Sequence, residues 1–167
     1  MTDALDVTIA QGSDSDIDAC VGIWRAALLA RDGVDDPRLP ERTRAKLIEL
    51  PRVSWLVARG ADHALGFALL AEGGTGTPGP HDPEGYAYLA LLGVAPSAWG
   101  QGIATALLAR LEEELARAGL PGAYLHVVSE NTAAIRRYER AGWHSIGEVY
   151  VHPVTGRPTR SYARELA

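Results

Sequence analysis

The sequence contains few of the residues that mark several functional classes. Its one cysteine, Cys20, cannot form an internal disulfide, and its apolar neighbours favour a small buried filler over a nucleophile. Positive charge is also scarce: the formal net charge is −5, which provides no broad basic surface for nucleic acid or an anionic membrane. We therefore expect no nucleic-acid and no membrane partner, and an anionic ligand has to be bound by a local site.

Long apolar runs and targeting signals are missing as well. The N-terminal stretch MTDALDVTIA has no basic segment followed by an apolar one, and no stretch approaches about 18 consecutive apolar residues. These absences predict a cytoplasmic protein. With 47% hydrophobic and 22% charged residues, the chain is expected to form one compact domain over residues 1–167.

The hydrophobic spacing predicts the element order β-α-α-β-β-β-α-β-α-β-β. The predicted strands are 5–10, 53–58, 64–71, 86–94, 123–128, 143–151 and 159–166, and the predicted helices are 17–28, 42–50, 102–118 and 131–141. Residues 73–85 are so rich in glycine and proline that they predict a mobile loop. This order indicates an α/β (α+β) fold with a central mixed sheet, in which the central β-α-β crossover favours parallel pairing.

Two glycines, Gly100 and Gly102, stand where the third predicted helix begins. A helix that starts at the carboxyl edge of a sheet presents unpaired N–H groups and a partial positive charge there. Glycine lets a phosphate approach those N–H groups without an obstructing Cβ. A tight turn after Pro96 would use the same glycines, so both interpretations stand on these residues alone.

Two other phosphate loops fit poorly. A nucleotide P-loop needs a lysine after its last glycine, and the only lysine in the sequence is Lys46. A dinucleotide fingerprint needs a third glycine and an acidic residue about 20 positions later. Here Thr105 stands in place of that glycine, and residues 118–125 contain no acid.

Two segments together resemble the GNAT superfamily of acetyl-CoA-dependent N-acyltransferases. Residues 92–104, LGVAPSAWGQGIA, resemble its Arg/Gln-x-x-Gly-x-Gly/Ala pyrophosphate motif, with Trp99 in the slot usually filled by arginine or glutamine. Residues 125–143, LHVVSENTAAIRRYERAGW, look like the strand, asparagine, tyrosine-bearing helix and Gly-aromatic pair that follow in the family. The predicted order of elements agrees with that of the family over nearly the whole chain.

The resemblance implies a sheet of about seven strands flanked by about four helices, splayed where acetyl-CoA binds. Backbone groups of Leu92 and Val94 would bond to the pantetheine arm, Gly93 would form the bulge that frees them, and Asn131 would point toward the arm. The cofactor-binding residues implied are Leu92, Gly93, Val94, Trp99, Gly100, Gln101, Gly102, Ile103, Ala104, Thr105, Asn131 and Tyr138. No metal site is expected.

Acyl transfer from a thioester needs a neutral amine and a proton for the departing thiolate. By its place in the resemblance, Tyr138 is the general acid. The family often uses a strand carboxylate as base, but no acid occupies the interior of strand 86–94. Glu84, Tyr88 and His126 therefore remain as candidate bases, and water chains are an alternative.

The acceptor is expected to be a primary amine of a small molecule, a peptide or a protein N-terminus. The family recognises acceptors through loops that correspond here to residues 32–41 and 73–85, where Asp35 and Asp36 are candidates for attracting a cationic amine. The sequence also leaves open whether the chain forms a homodimer. The alternative function is a catalytically silent CoA-binding module of the same fold.

Overall fold

The computed structural model describes residues 6–167, so Leu5 of the first predicted strand lies outside the described part. The strands are β1 Thr8–Gln11, β2 Arg52–Arg59, β3 Ala64–Ala71, β4 Ala87–Val94, β5 Gly122–Val128, β6 His144–Val151 and β7 Pro158–Glu165. The α-helices are α1 Ile17–Asp32, α2 Leu39–Glu49, α3 Ile103–Arg117 and α4 Thr132–Arg140. Helix α2 begins three residues before the predicted start, because Pro40 lies in its first turn, where the missing N–H is harmless.

The seven strands form one sheet in the order β1-β2-β3-β4-β5-β7-β6. All neighbours are antiparallel except β4 and β5, which are joined through α3 and run parallel. The predicted mixed α/β sheet with four flanking helices is therefore confirmed. In the described residues no helix has the length and apolar character needed to span a membrane.

Strands β4 and β5 diverge soon after they meet. Their pairing consists of Ala87 with Ala123 and Tyr88 with Tyr124. Beyond these pairs β4 continues to Val94 and β5 to Val128 without a shared register. The predicted splay lies between these diverging halves, at the carboxyl ends of both strands.

The bulge in β4 does not lie at Gly93, where it was predicted. Leu89 pairs with Leu70 and Leu91 with Leu69, so Ala90 is the extra residue on β4. Gly93 pairs in register with Phe67, and a Cβ on it would lie 3.1 Å from the Phe67 ring. Close packing therefore explains Gly93, whereas an alanine accommodates the bulge.

Helices cover both faces of the sheet. Leu107 and Leu111 of α3 are buried in the larger core, which the crossover helix forms with the sheet. Helices α1 and α2 cover the opposite face, where Trp55 and Phe67 are fully buried. The last hairpin places β7 between β5 and β6, so the diverging half of β5 keeps an antiparallel partner on its far side.

Candidate active site

The segment that leads into α3 owes its shape to glycine. Gly100 has φ +79° and Gly102, the N-cap of the helix, has φ +78°, a conformation that side chains rarely adopt. A Cβ on either glycine would meet nothing within 4 Å, so the space in front of the helix is open. The first intrahelical bond runs from Ala106 N–H to Gly102 O, at 3.0 Å, which leaves the N–H groups of residues 103–105 without intrahelical acceptors. The glycines form a tight turn and also leave these helix donors exposed, whereas phosphate binding at this position stays a prediction.

These donors face a cleft of about 470 Å³ between the start of α3 and the side of α4. Seven of the predicted cofactor-binding residues line it: Val94, Trp99, Gly100, Gly102, Ile103, Ala104 and Thr105. The other predicted residues, Leu92, Gly93, Gln101, Asn131 and Tyr138, are not part of its lining.

Three arginines that were not predicted as cofactor-binding form the opposite wall of the cleft. Arg136, Arg137 and Arg140 lie on one side of α4, and within residues 6–167 none of them forms an ion pair. Their spacing, together with that of Ala133 and Ala141, is the three-and-four repeat of a single helix face. That repeat is the sequence signal that could have identified them. The cleft thus joins helix donors to unpaired positive charge, as an anion site requires.

Trp99 is tied back to the end of β4. Its Nε1–H donates to the carbonyl oxygen of Val94 at 2.8 Å, while the side of the indole remains exposed. The residue that departs from the family motif therefore stabilises the turn itself.

The backbone of β4 has free groups on the side of the splay. Ala95 N–H bonds to Leu65 O at 2.8 Å, on the β3 side. Since backbone groups alternate along a strand, Leu92 and Val94 direct theirs the other way, toward the gap. This is the orientation predicted for both residues.

Helix α4 fixes the positions of Asn131 and Tyr138. Asn131 is the N-cap, and its Oδ1 accepts a hydrogen bond from Ala134 N–H at 3.3 Å. Tyr138 is buried and packs on Trp143 with the ring centroids 5.9 Å apart. Burial raises the pKa of the Tyr138 hydroxyl to about 12, although the nearby charge of Arg137 lowers it. Tyr138 therefore stays protonated at neutral pH.

Two of the three candidate bases, His126 and Tyr88, lie together on the face of the sheet that is opposite to α3 and α4. The His126 ring is 5.3 Å from that of Tyr88, 5.7 Å from that of Tyr124 and 6.2 Å from that of Tyr150. His126 Nε2 lies 2.6 Å from Asp82 Oδ1, and the two side chains are 7% and 16% exposed. Asp82 was not predicted, and its place in an irregular loop gives no sequence signal for this pairing.

The other two candidates besides His126 are Tyr88 and Glu84, and both are less suited to removing a proton. Burial raises the pKa of Tyr88 to about 12, so this phenol is protonated at neutral pH. Glu84 is exposed in the loop. In the described residues it has no hydrogen bond or ion pair to the His126 cluster.

The glycine-proline loop, residues 73–85, contains no helix or strand, as predicted, but it is fastened to the sheet. Gly74 N–H donates to the Tyr124 hydroxyl of β5 at 3.0 Å, and Asp82 Oδ1 contacts His126 Nε2 of the same strand. Within the loop, Gly79 N–H donates to Asp82 Oδ2 at 2.8 Å. A Cβ on Gly79 would come within 2.7 Å of His126 Nε2. Glycine is therefore needed where this loop crosses the histidine.

The acidic pair in the loop after α1 is already engaged. Asp35 accepts a bidentate hydrogen bond from Arg25, and Asp36 lies beside Arg38 and Arg42. The predicted attraction of a cationic amine by these two carboxylates is therefore largely offset by neighbouring arginines.

A family model described as the acetyltransferase (GNAT) family matches residues 22–143, which include both walls of the cleft. The chain belongs to this family. The predicted family is confirmed, and both the family model and the curated relative are described as acetyltransferases. Acetyltransferase Atu2258 of Agrobacterium fabrum is 44% identical over 69 residues, which make up 41% of this chain and 49% of that protein. The match thus spans about half the length of that relative.

Solved structures resemble the GNAT chain over nearly its whole length. The ribosomal-protein-S18-alanine N-acetyltransferase from Escherichia coli matches with a TM-score of 0.72 and 21% identity, over 96% of this chain and 94% of that one. YncA from Salmonella typhimurium, solved with its cofactor acetyl-CoA, matches with a TM-score of 0.67 and 23% identity, also over 96% and 94%. At these identities the likeness is one of fold.

Proposed function

We propose that this GNAT protein transfers the acetyl group of acetyl-CoA to a primary amine by direct attack in a ternary complex. The observation that carries the proposal is the cleft, in which the donors of α3 face the arginines of α4 at the mouth of the splayed strands. The acceptor class we propose is a small molecule, a peptide or a protein N-terminus.

The cleft fits the diphosphate of coenzyme A. The free N–H groups of residues 103–105 and the open space at Gly102 suit an anion that approaches the backbone closely. Arg136, Arg137 and Arg140 add positive charge for the phosphates. When bound, acetyl-CoA supplies an activated thioester, and the chain orients it.

The pantetheine arm would run along β4 as an extra strand. Leu92 and Val94 direct backbone groups into the gap, and the Val94 carbonyl is already taken by Trp99. The Val94 N–H and the backbone of Leu92 are therefore the groups we assign to the arm. Asn131 caps α4 at the same end of the sheet.

Tyr138 is the proposed proton donor to the leaving thiolate. Its raised pKa keeps the hydroxyl protonated, so it can donate a hydrogen bond to sulfur and pass on its proton as the C–S bond breaks.

The second candidate function is a silent CoA-binding module. It is favoured by β4 itself, since the residues of Ala87–Val94 include no carboxylate to act as base. The two functions differ in turnover and not in binding.

The test combines calorimetric titration of CoA with an assay of thiol release from acetyl-CoA. The amine panel consists of a polyamine, an aryl-ethylamine, an amino acid and a short peptide with a free N-terminus. Enzyme activity predicts micromolar to millimolar binding together with thiol release that depends on one of these amines. Binding without release across the panel would identify the silent module, and absence of binding would reject both functions.

A further inference from the structure

We infer that His126 is the general base of the transfer and that Asp82, from the glycine-proline loop, positions its imidazole. This inference rests on the proposed acetyl transfer, and it selects one of the three candidate bases.

His126 lies at the mouth of the splay. It stands two residues beyond Tyr124, the last residue of β5 that pairs with β4. Counted in the same register, the opposite position on β4 is Ala90, the bulged residue. The side chain at that position is only a methyl group, and β4 and β5 form no further pairs beyond Tyr88 and Tyr124.

Asp82 determines which imidazole nitrogen can take a proton. Because an ionised carboxylate is only an acceptor, the 2.6 Å contact makes Nε2 of neutral His126 the N–H nitrogen. The lone pair then lies on Nδ1, which is the nitrogen free to act as base. Asp82 is itself held by Gly79 N–H on its second oxygen, at 2.8 Å, so the orientation is fixed from the backbone. The arrangement resembles the histidine–carboxylate pairs of other enzymes, in which the carboxylate sets the tautomer of the histidine and stabilises the imidazolium.

Several titratable side chains surround the imidazole of His126. Tyr88 is protonated at neutral pH, and Asp82 supplies the carboxylate in the group around the imidazole. The titratable residues of that group are Asp82 and His81 of the loop, Tyr88 of β4, Tyr124 of β5, Tyr150 of β6 and His152 after β6.

The proton balance of the step is closed. His126 Nδ1 takes one proton from the acceptor ammonium, directly or through one water, and the resulting amine lone pair forms the bond to the acetyl carbon. As the C–S bond breaks, the thiolate takes the Tyr138 proton, and the second amine proton returns to the phenolate. His126 then releases its proton to solvent, so one proton is produced per acetyl group transferred.

The kinetic test compares wild type with His126→Gln and Asp82→Asn, using an amine that wild type acetylates. Removing the base is expected to lower kcat/KM by about 10²–10⁴-fold and to abolish the acidic limb of its pH profile. Asp82→Asn should retain more activity and move that limb to lower pH, because the imidazolium loses its carboxylate. Asp82→Glu is expected to restore part of the rate.

The matched control is His144→Gln. His144 and Glu165 form a second pair at 2.6 Å, exposed on the surface and outside the cluster. This variant should retain the wild-type rate. Full activity in His126→Gln, or an unchanged pH profile in Asp82→Asn, would overturn the assignment of the base while leaving the acetyl transfer intact.

A second readout does not depend on the acceptor. In ¹⁵N NMR of the wild-type imidazoles, neutral His126 should carry its proton on Nε2, and its Nδ1 signal should move when acetyl-CoA is added. The signals of His144 should stay in place. A proton on Nδ1, or a His126 signal indifferent to bound acetyl-CoA, would contradict the inference. Failure of acetyl-CoA to bind at all would instead reject the proposed function.

Discussion

Trp99 and Val94 are joined by a hydrogen bond of 2.8 Å, from the indole Nε1–H to the carbonyl oxygen at the end of β4. The bond closes the short connection between β4 and α3, which includes the single turn Pro96–Ala98. It also keeps the indole against the cleft with 46% of its surface exposed. A residue that departs from the family motif thus braces the segment whose backbone is assigned to the phosphates.

Trp99 should report cofactor binding. Because its half-exposed indole lines the cleft, CoA is expected to quench or shift the tryptophan emission. Trp99→Phe should lose this response while the buried Trp55 still fluoresces. It should also lose about 0.5–1.5 kcal/mol of stability with the hydrogen bond. An unchanged response in the variant would place the cofactor elsewhere.

Coenzyme A is expected to stabilise the fold against heat, and desulfo-CoA should do so nearly as well. The assigned contacts involve phosphates and pantetheine rather than sulfur. At a hundred times the Kd the gain is about 2.7 kcal/mol, measurable by calorimetry as a rise in Tm. No rise at millimolar CoA would contradict the assignment of the cleft.

Gly102→Val should abolish CoA binding. The left-handed backbone there strains any side chain, by about 1–3 kcal/mol, and valine would fill the open space before the helix. Gly119→Val is the matched control, with φ +71° and the same open surroundings past the other end of α3, about 25 Å away. The control should lose similar stability in denaturant but bind CoA normally. If Gly102→Val folds and binds CoA normally, the two glycines serve only to form a turn.

Tyr138→Phe should lower the turnover rate by up to about 10²–10⁴-fold while leaving the Kd for CoA nearly unchanged. Loss of the hydroxyl preserves the ring packing on Trp143. Tyr162→Phe is the control, since Tyr162 is also buried but donates to Glu139 at 3.1 Å and has no assigned step. Single-turnover rates for both variants measure the difference. Full activity in Tyr138→Phe would make this tyrosine a core residue.

The surface pair of His144 and Glu165 should make stability depend weakly on pH. The carboxylate raises the pKa of His144 above the unfolded value of about 6.5, so its contribution is complete below that value and is lost as pH rises through the raised pKa. The histidine lowers the pKa of Glu165, whose contribution is lost as pH falls through that lowered value. Both side chains are about half exposed, so the effect is at most about 1 kcal/mol. NMR titration should show the pKa of His144 falling toward 6.5 in Glu165→Gln.

Local sequence signals sufficed where the structure depends on neighbours along the chain. The glycines before α3 predicted a turn with exposed helix donors, because backbone conformation and helix donors are local properties. The Gly-x-Gly segment and the tyrosine-bearing helix together identified the family, and the family model confirms it.

Tertiary pairing set the limits of prediction. The bulge falls on Ala90, an alanine without any bulge signature, because the register of β3 and β4 places it there. Asp82 meets His126 across 44 positions of sequence, through a loop whose path no periodicity encodes. The arginines of α4 follow a helical repeat that the sequence shows, but the repeat does not reveal that they face the start of α3 across the cleft.

The two residue pairs that join β4 to β5 leave a seam in an otherwise continuous sheet. On one side β1 to β4 are linked strand to strand, and on the other β7 bonds to both β5 and β6. Amide hydrogens along the seam, such as that of Val94, should exchange rapidly in the free protein and slowly once a ligand bonds to them. In the free protein, the strands on either side of the seam would unfold locally as two separate units. Cofactor binding would join them into one cooperative unit, because the ligand forms the backbone hydrogen bonds that a strand between β4 and β5 would otherwise form.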